Sequence, residues 1–276
     1  MRGSVSSCQV RSPRTLFEAL ELLAGAPNRW QPMAGATDLM VAFAAGRLCN
    51  PRFLNIWPLN ELRGIRVEKE AITLGALTTY SDVLHHPELC SAFPLLVAAA
   101  AETGGIATQN CGTLGGNIMN ASPAADTPPA LLAYDAEIEL TSIHGSRWVP
   151  YCTFHTGYRQ TMLVSGELLT RIRVPRLNLG SRSQFRKVGP RKAQAISKVC
   201  FAAICDPEKK EFRIAYGSMA PTPVRCFATE TVIRRGGDPM QSLATELAPM
   251  SDARSTAAYR LRVAQNLLAD FLRHAS

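Results

Sequence analysis

The sequence has 276 residues and a formal net charge of +8, with 46% hydrophobic and 19% charged residues. A chain of this length and composition can bury a sizeable core, which excludes a disordered protein. No apolar run is long enough to cross a bilayer, and the first twelve residues lack the apolar core of a secretory signal, so we expect a cytoplasmic chain without a membrane span.

The amino-terminal part is predicted to alternate between helices and strands. Thr15 and Glu18 have the spacing of a capping box, which marks the start of a helix. In chain order the pattern predicts a helix that ends near Gly25, a strand at 29–34, a helix at 37–45, a strand at 53–56, and a hairpin of 65–67 with 72–74. This order places the turn at Gly35 directly between a strand and a helix.

The middle of the chain is predicted to combine helices with a glycine-rich loop. The pattern predicts helices at 81–90, 93–103 and 128–134, and strands at 137–141 and 168–174. Five glycines between 104 and 117 predict a loop, either ordered against a neighbour or flexible. The polar, turn-rich stretch 175–183 is the predicted boundary between a domain at 1–176 and a second one at 177–276.

The carboxyl-terminal part is predicted to be a compact α+β domain. Its strands are expected at 184–188, 197–205 and 212–219, and its helices at 224–235 and 255–274. In the last helix, Leu261, Ala264, Leu268 and Phe271 share one apolar face.

The cysteines and the basic residues argue against two kinds of site. The eight cysteines are dispersed without the two-residue spacing of zinc or iron–sulfur sites, so we expect reduced, mostly buried thiols and no cluster in this chain. Much of the basic excess lies between Arg182 and Lys198, where Phe185 is the one interleaved aromatic residue. That pattern disfavours single-strand nucleic-acid binding and fits a phosphate ligand or a partner subunit.

Two glycine turns are the candidate ligand-binding segments. The first, Ala34-Gly35-Ala36-Thr37-Asp38-Leu39, joins a strand to a helix and so directs main-chain N–H groups at one spot, which suits a phosphate. The second is Thr113-Leu114-Gly115-Gly116-Asn117, where adjacent glycines let a ligand approach the main chain. Neither matches a phosphate-binding lysine loop or the three-glycine dinucleotide motif.

In this order the two turns closely resemble the FAD-binding medium subunit of the molybdenum hydroxylases, a family that includes carbon monoxide dehydrogenase and xanthine dehydrogenase. The family's AGGTDL-like turn stands here as AGATDL, TLGGN is intact, and NASPAADTPPALLAYDAEIEL continues the match. RKVGPRKAQAISKV, YGSMAPTPVR and SDARSTAAYR resemble its second domain, so the resemblance runs nearly end to end. It implies an α+β fold, in which a two-subdomain FAD-binding domain of the vanillyl-alcohol-oxidase (PCMH) type precedes a small flavoprotein domain with an antiparallel sheet.

The resemblance also implies which residues hold FAD. The segment that would wrap the pyrophosphate is Pro32, Met33, Ala34, Gly35, Ala36, Thr37, Asp38 and Leu39, with Gly35 and Thr37 closest. Thr113, Gly115, Gly116 and Asn117 would form the second flavin-holding loop. Asp126 would accept a hydrogen bond from a flavin or ribitol hydroxyl, Leu168 or Leu169 would pack on a ring face, and Lys187 would stabilise the reduced ring. Catalytic side chains and metal ligands are not expected.

The first turn departs from the family pattern at one position. The family's second turn glycine is Ala36 here. If that position needs a positive φ angle, alanine strains the turn by about 1 kcal/mol.

The function implied by the resemblance is that of an oxidoreductase subunit that is active only with partners. A large subunit with a molybdopterin cofactor would oxidise the substrate, and two [2Fe–2S] clusters in a small subunit would pass electrons to FAD. The final acceptor would be NAD, a quinone or a redox protein, and the assembly a dimer of heterotrimers. The substrate is bound by a partner, so this chain does not identify it.

Two other functions fit the same residues. A free-standing FAD oxidoreductase would need a substrate pocket of its own, and no extra domain for one is visible. A non-catalytic basic scaffold that has lost its cofactor would bind nucleic acid in a salt-sensitive manner without binding flavin.

Overall fold

The computed structural model describes residues 8–26, 28–48, 52–177, 181–206 and 208–275. Within them the chain forms a small parallel sheet, a larger antiparallel sheet covered by helices, and a carboxyl-terminal antiparallel sheet with its own helices. This arrangement confirms the predicted α+β fold.

The parallel sheet is built by the first five elements. They are β1 (Gln9–Arg11), α1 (Leu16–Gly25), β2 (Gln31–Met33), α2 (Leu39–Ala44) and β3 (Arg52–Asn55), with the strand order β1-β3-β2. The Thr15 hydroxyl caps α1 by accepting from the Glu18 amide at 3.2 Å, whereas the Glu18 carboxylate accepts from the Arg14 amide. Only half of the predicted capping box therefore forms. The helix buries Leu20 and Leu23 against the sheet.

The antiparallel sheet holds most of the predicted strands of the middle region. Its elements in chain order are β4 (Ile65–Val67), β5 (Ala71–Gly75), β6 (Glu137–Ser142), β7 (Gly145–Pro150) and, after the short hairpin of β8 (His155–Gly157) and β9 (Gln160–Thr161), β10 (Leu168–Pro175). The strand order is β4-β5-β10-β6-β7. The hairpin of β4 and β5 was predicted, whereas β7, β8 and β9 were not.

The helices between β5 and β6 differ from the prediction in two places. They are α3 (Tyr80–His85), α4 (Pro87–Ala92), α5 (Pro94–Glu102), α6 (Ile106–Cys111), α7 (Leu114–Asn120) and α8 (Thr127–Ala133). The predicted single helix at 81–90 is wrong, because Pro87 lacks an N–H and disfavours helical geometry at His86, whose ψ is 118°. The predicted loop at 104–117 is also wrong, since α6 lies within it and α7 begins in it.

The carboxyl-terminal part has a four-stranded antiparallel sheet. Its elements are β11 (Arg182–Val188), β12 (Val199–Asp206), β13 (Glu211–Gly217), β14 (Val224–Arg225), α9 (Phe227–Arg234), α10 (Pro239–Glu246) and α11 (Ala257–Ala275). The sheet and α11 were predicted, whereas β14 was assigned to a helix and α10 was missed. The domain boundary at 176/177 stays a prediction.

Strand β12 is buried on both faces, which joins the two predicted domains. Ala202 and Ile204 pack in the core shared with α8, whereas Phe201 and Ala203 pack in the core shared with α11. Alternate residues of a strand point to opposite faces, so the sheet lies between helices of both domains. Every residue of α8 is buried as a result.

In the described part of the chain, no helix combines the length and apolarity needed to cross a membrane.

Candidate flavin site

The first predicted glycine turn packs against the chain directly before the second one. A Cβ atom added to Gly35 would lie 1.6 Å from the Cys111 carbonyl oxygen, at the end of α6 and two residues before Thr113. Such contact requires a residue without a side chain, because real Cβ atoms do not approach other atoms this closely. The first turn is therefore pressed against the segment that leads into the second one.

The first turn offers main-chain donors. The amides of Gly35, Ala36, Thr37 and Asp38 have no hydrogen-bond acceptor among the described residues. They precede α2, and Ala36 has a φ of 58°, so the turn contains a left-handed residue of the kind found in anion-binding nests. Four free N–H groups in one turn suit the oxygens of a pyrophosphate. Ala36 therefore has the positive φ angle at which an alanine strains this turn.

Three amides at the centre of the second turn already have acceptors. The Leu114 amide donates to Thr78, the Gly115 amide to Ala76, and the Gly116 amide to the Thr113 hydroxyl, at 2.9, 2.9 and 3.0 Å. These three amides are therefore not free for a ligand, unlike those of the first turn. What this turn offers a ligand is mainly its surface and its side chains.

The two glycines of the second turn have different environments. Gly115 is buried, and an added Cβ would lie 2.7 Å from the Ala76 carbonyl oxygen, so the fold itself requires this glycine. Gly116 is exposed, and an added Cβ would meet only the Thr113 hydroxyl, at 2.9 Å. The main chain at Gly116 is the part that a ligand can approach. The predicted ligand roles of Thr113 and Gly115 stay predictions, and the structure gives both residues a packing role.

Asn117 is held by a residue that the sequence did not single out. The Thr127 hydroxyl donates to Asn117 Oδ1 at 2.6 Å. The amide nitrogen of Asn117 has no partner in the described chain and is not among the buried unpaired atoms. It is therefore accessible to solvent.

Asp126 and Lys187 form a buried ion pair between the two domains. Lys187 Nζ donates to Asp126 Oδ2 at 2.7 Å and to the Glu102 carbonyl at 2.8 Å. The two side chains are 9% and 4% exposed. Burial raises the pKa of Asp126 to about 6, and the positive charge of Lys187 opposes that rise. These two predicted residues act as one pair rather than as independent contacts.

One carboxylate oxygen of that pair lacks a partner. Asp126 Oδ1 is buried and has no hydrogen bond within the described residues. A buried acceptor of this kind normally has a partner, so a hydroxyl of a bound ligand fits it. Asp126 also lies at the start of α8 without capping its amides, which leaves the carboxylate available.

Leu168 and Leu169 lie in two different cores. Leu168, 5% exposed, packs in the core that includes α1, and Leu169, 2% exposed, packs in the core that includes α8. Both are therefore core strand residues. Contact of either with a flavin ring stays a prediction.

The thiols differ from the prediction in their burial. Cys200, Cys205 and Cys226 are buried, but Cys90, Cys111 and Cys152 are exposed, so the prediction of mostly buried thiols is wrong. Cys49 lies outside the described residues. The described part of the chain has no group of three or more His, Cys, Asp or Glu residues that could hold a metal ion.

Comparison with known proteins gives two family matches that together cover most of the chain. Residues 6–177 match the FAD binding domain in molybdopterin dehydrogenase, and residues 184–275 match the CO dehydrogenase flavoprotein C-terminal domain.

Individual relatives match over nearly their whole length. The xanthine dehydrogenase FAD-binding subunit of Escherichia coli O157:H7 is 32% identical over 267 residues, which cover 92% of this chain and 90% of that protein. The glyceraldehyde dehydrogenase medium chain of Sulfolobus acidocaldarius is 33% identical, with 92% of each chain covered. The structure of carbon monoxide dehydrogenase from Hydrogenophaga pseudoflava, in a form lacking the Mo-pyranopterin moiety, matches with a TM-score of 0.88 and 26% identity over 94% of both chains.

Proposed function

This chain belongs to the family of FAD-binding subunits of the molybdopterin dehydrogenases, and from that membership we propose that it carries electrons through FAD between an iron–sulfur partner and a final acceptor. The observation that carries the proposal is the position of the first turn. This turn, with its four free amides, packs against Cys111, five residues before the open main chain at Gly116 of the second turn.

The residues of the site fit the parts of FAD. The amides from Gly35 to Asp38 would hold the pyrophosphate, and Asp126 Oδ1 would accept from a hydroxyl of the flavin half. Lys187, whose charge is balanced by Asp126, would keep a cation beside the ring without leaving an excess charge buried. When bound, FAD supplies the ability to take up single electrons and to release a pair.

We propose the partner subunits from the names of the relatives. Their names describe medium chains and FAD-binding subunits, which supports a complex with a large molybdopterin-containing subunit and a small subunit with two [2Fe–2S] clusters. A dimer of such heterotrimers, with NAD, a quinone or a redox protein as the acceptor, is the assembly we propose. A cytoplasmic location stays a prediction.

A binding titration tests the proposal directly. The purified, cofactor-free chain is titrated with FAD, and the quenching of flavin fluorescence is followed, with FMN as the control because it lacks the pyrophosphate. We expect saturable one-to-one binding of FAD in preference to FMN, and no substrate oxidation by the chain alone. Equal binding of FMN would contradict the role of the first turn, and substrate oxidation by the single chain would favour a free-standing oxidoreductase. Salt-sensitive nucleic-acid binding without flavin binding would favour the scaffold.

A further inference from the structure

Thr127 lies at the junction between the second turn and the ion pair of the two domains. It is the first residue of α8, is fully buried, and follows Asp126 directly. Its hydroxyl donates to Asn117 Oδ1 at 2.6 Å. Nothing in the resemblance assigns a role to this residue.

We propose that Thr127 is a positioning residue that turns the Asn117 side-chain amide so that its NH₂ group, rather than its oxygen, faces the bound FAD. The proposal rests on the proposed function, because it concerns how this chain holds FAD. Thr127 itself is buried and acts on the cofactor through Asn117.

The direction of the hydrogen bond decides which end of the Asn117 side chain faces Thr127. The Thr127 hydroxyl donates to Asn117 Oδ1 at 2.6 Å. Asn117 therefore presents its oxygen, and not its NH₂ group, to Thr127.

The direction of this hydrogen bond decides which end of Asn117 can contact a ligand. An asparagine side chain has an acceptor oxygen and a donor nitrogen, and the two ends are otherwise similar in shape. With Oδ1 engaged by Thr127, the unpartnered end is the NH₂ group, which is accessible. Asn117 lies one residue after Gly116, where the main chain is open. The second turn, in which the amides of Leu114, Gly115 and Gly116 already have acceptors, thus gains a donor aimed at an acceptor atom of FAD.

The packing of α8 fixes the position of Thr127. Thr127 is held by α8, and α8 is buried between the two domains with Asp126 tied to Lys187. A rigid donor loses little conformational entropy when the ligand binds, so it contributes more to affinity than a free amide would.

The test compares FAD affinity among matched variants of the full chain. Thr127→Val keeps the shape but removes the hydroxyl, and we expect it to weaken FAD binding by about fivefold to tenfold. Thr127→Ser keeps the hydroxyl and should bind FAD as the wild type does. Thr229→Val is the control, because Thr229 is also fully buried but its hydroxyl donates to the Glu246 carboxylate in the carboxyl-terminal part, so its removal should leave FAD binding unchanged.

Orientation is tested by Asn117→Asp, which replaces the NH₂ group with an oxygen. We expect a loss of FAD affinity of about tenfold or more, since an oxygen would then face an acceptor of the ligand. Melting temperatures of the cofactor-free variants and the absorption spectrum of bound flavin separate positioning from folding.

Each outcome decides the proposal. Wild-type affinity in Thr127→Val, or no rescue by Thr127→Ser, would overturn the positioning role while leaving FAD binding by the chain intact. Wild-type affinity in Asn117→Asp would show that the amide is turned the other way. A wild-type chain that binds no FAD would overturn the proposed function as well, which distinguishes the two failures.

Discussion

Gly35 and Cys111 touch through their main chains, since a Cβ atom at Gly35 would lie only 1.6 Å from the Cys111 carbonyl oxygen. We therefore expect Gly35→Ala to push the first turn away from α6 and to abolish FAD binding. Gly25→Ala is the control, because an added Cβ there has no atom within 4 Å. FAD titration and thermal unfolding check both variants, and unchanged affinity in Gly35→Ala would contradict the contact.

Ala36 is the residue of the first turn with a left-handed backbone, at a φ of 58°. Ala36→Gly should raise the free energy of unfolding by about 0.5–1 kcal/mol, because relief of strain exceeds the added freedom of the unfolded chain. FAD affinity should not decrease. Ala42→Gly in the interior of α2 should instead lower the free energy of unfolding by about 1 kcal/mol. Urea denaturation measures both, and a destabilised Ala36→Gly variant would argue against strain at this position.

Gly115 and Gly116 should respond differently to the same change. Gly116→Leu should give a folded chain that no longer binds FAD, because the side chain would occupy the open main-chain surface. Gly115→Leu should prevent folding, since even its Cβ would collide with the Ala76 carbonyl. Circular dichroism and flavin content distinguish the two results. Normal flavin content in Gly116→Leu would remove the second turn from the site.

Asp126 should make stability depend on pH. Burial raises its pKa from an ordinary value of 3.8 to about 6, so the folded state binds a proton that the unfolded state releases between these values. Its contribution to stability is complete below about pH 3.8 and is lost as the pH rises through about 6, by at most about 1.4 kcal/mol per pH unit. Urea denaturation of the wild type and Asp126→Asn across this range measures the difference. If the difference in the free energy of unfolding between the two chains does not change with pH, the raised pKa of Asp126 is contradicted.

Arg225 should stabilise the carboxyl-terminal end of α8. It donates to the Leu132 carbonyl at 2.7 Å and pairs with Asp135 and with Glu230, whose side chain is 4% exposed. Arg225→Met would leave Glu230 buried without its cation, which should cost about 3–5 kcal/mol.

The control for Arg225 is an exposed ion pair. Arg273 is 73% exposed beside Asp270, so Arg273→Met should change the free energy of unfolding by less than about 1 kcal/mol. Chemical denaturation compares the two variants, and equal effects would mean that the buried pair does not hold the domains together.

Local patterns in the sequence determined a large part of the fold. Capping by Thr15, the alternation of Ile72 and Leu74, and the apolar face of Ala264, Leu268 and Phe271 each gave an element that the structure contains. These signals are local, because hydrogen bonding and burial within one element depend on neighbours along the chain. The strand-turn-helix at Gly35 could be predicted for the same reason. The resemblance then supplied the cofactor and the family.

Only the tertiary structure decided which groups of the site are free to act. In the second turn the amides of Leu114 and Gly115 are used by Thr78 and Ala76, which are distant in sequence, whereas four amides of the first turn are free. Lys187 pairs with Asp126 across 61 residues, and Thr127 fixes Asn117 across ten. The packing of α8 between the two domains brings these partners together. No periodicity or spacing in the sequence predicts that packing.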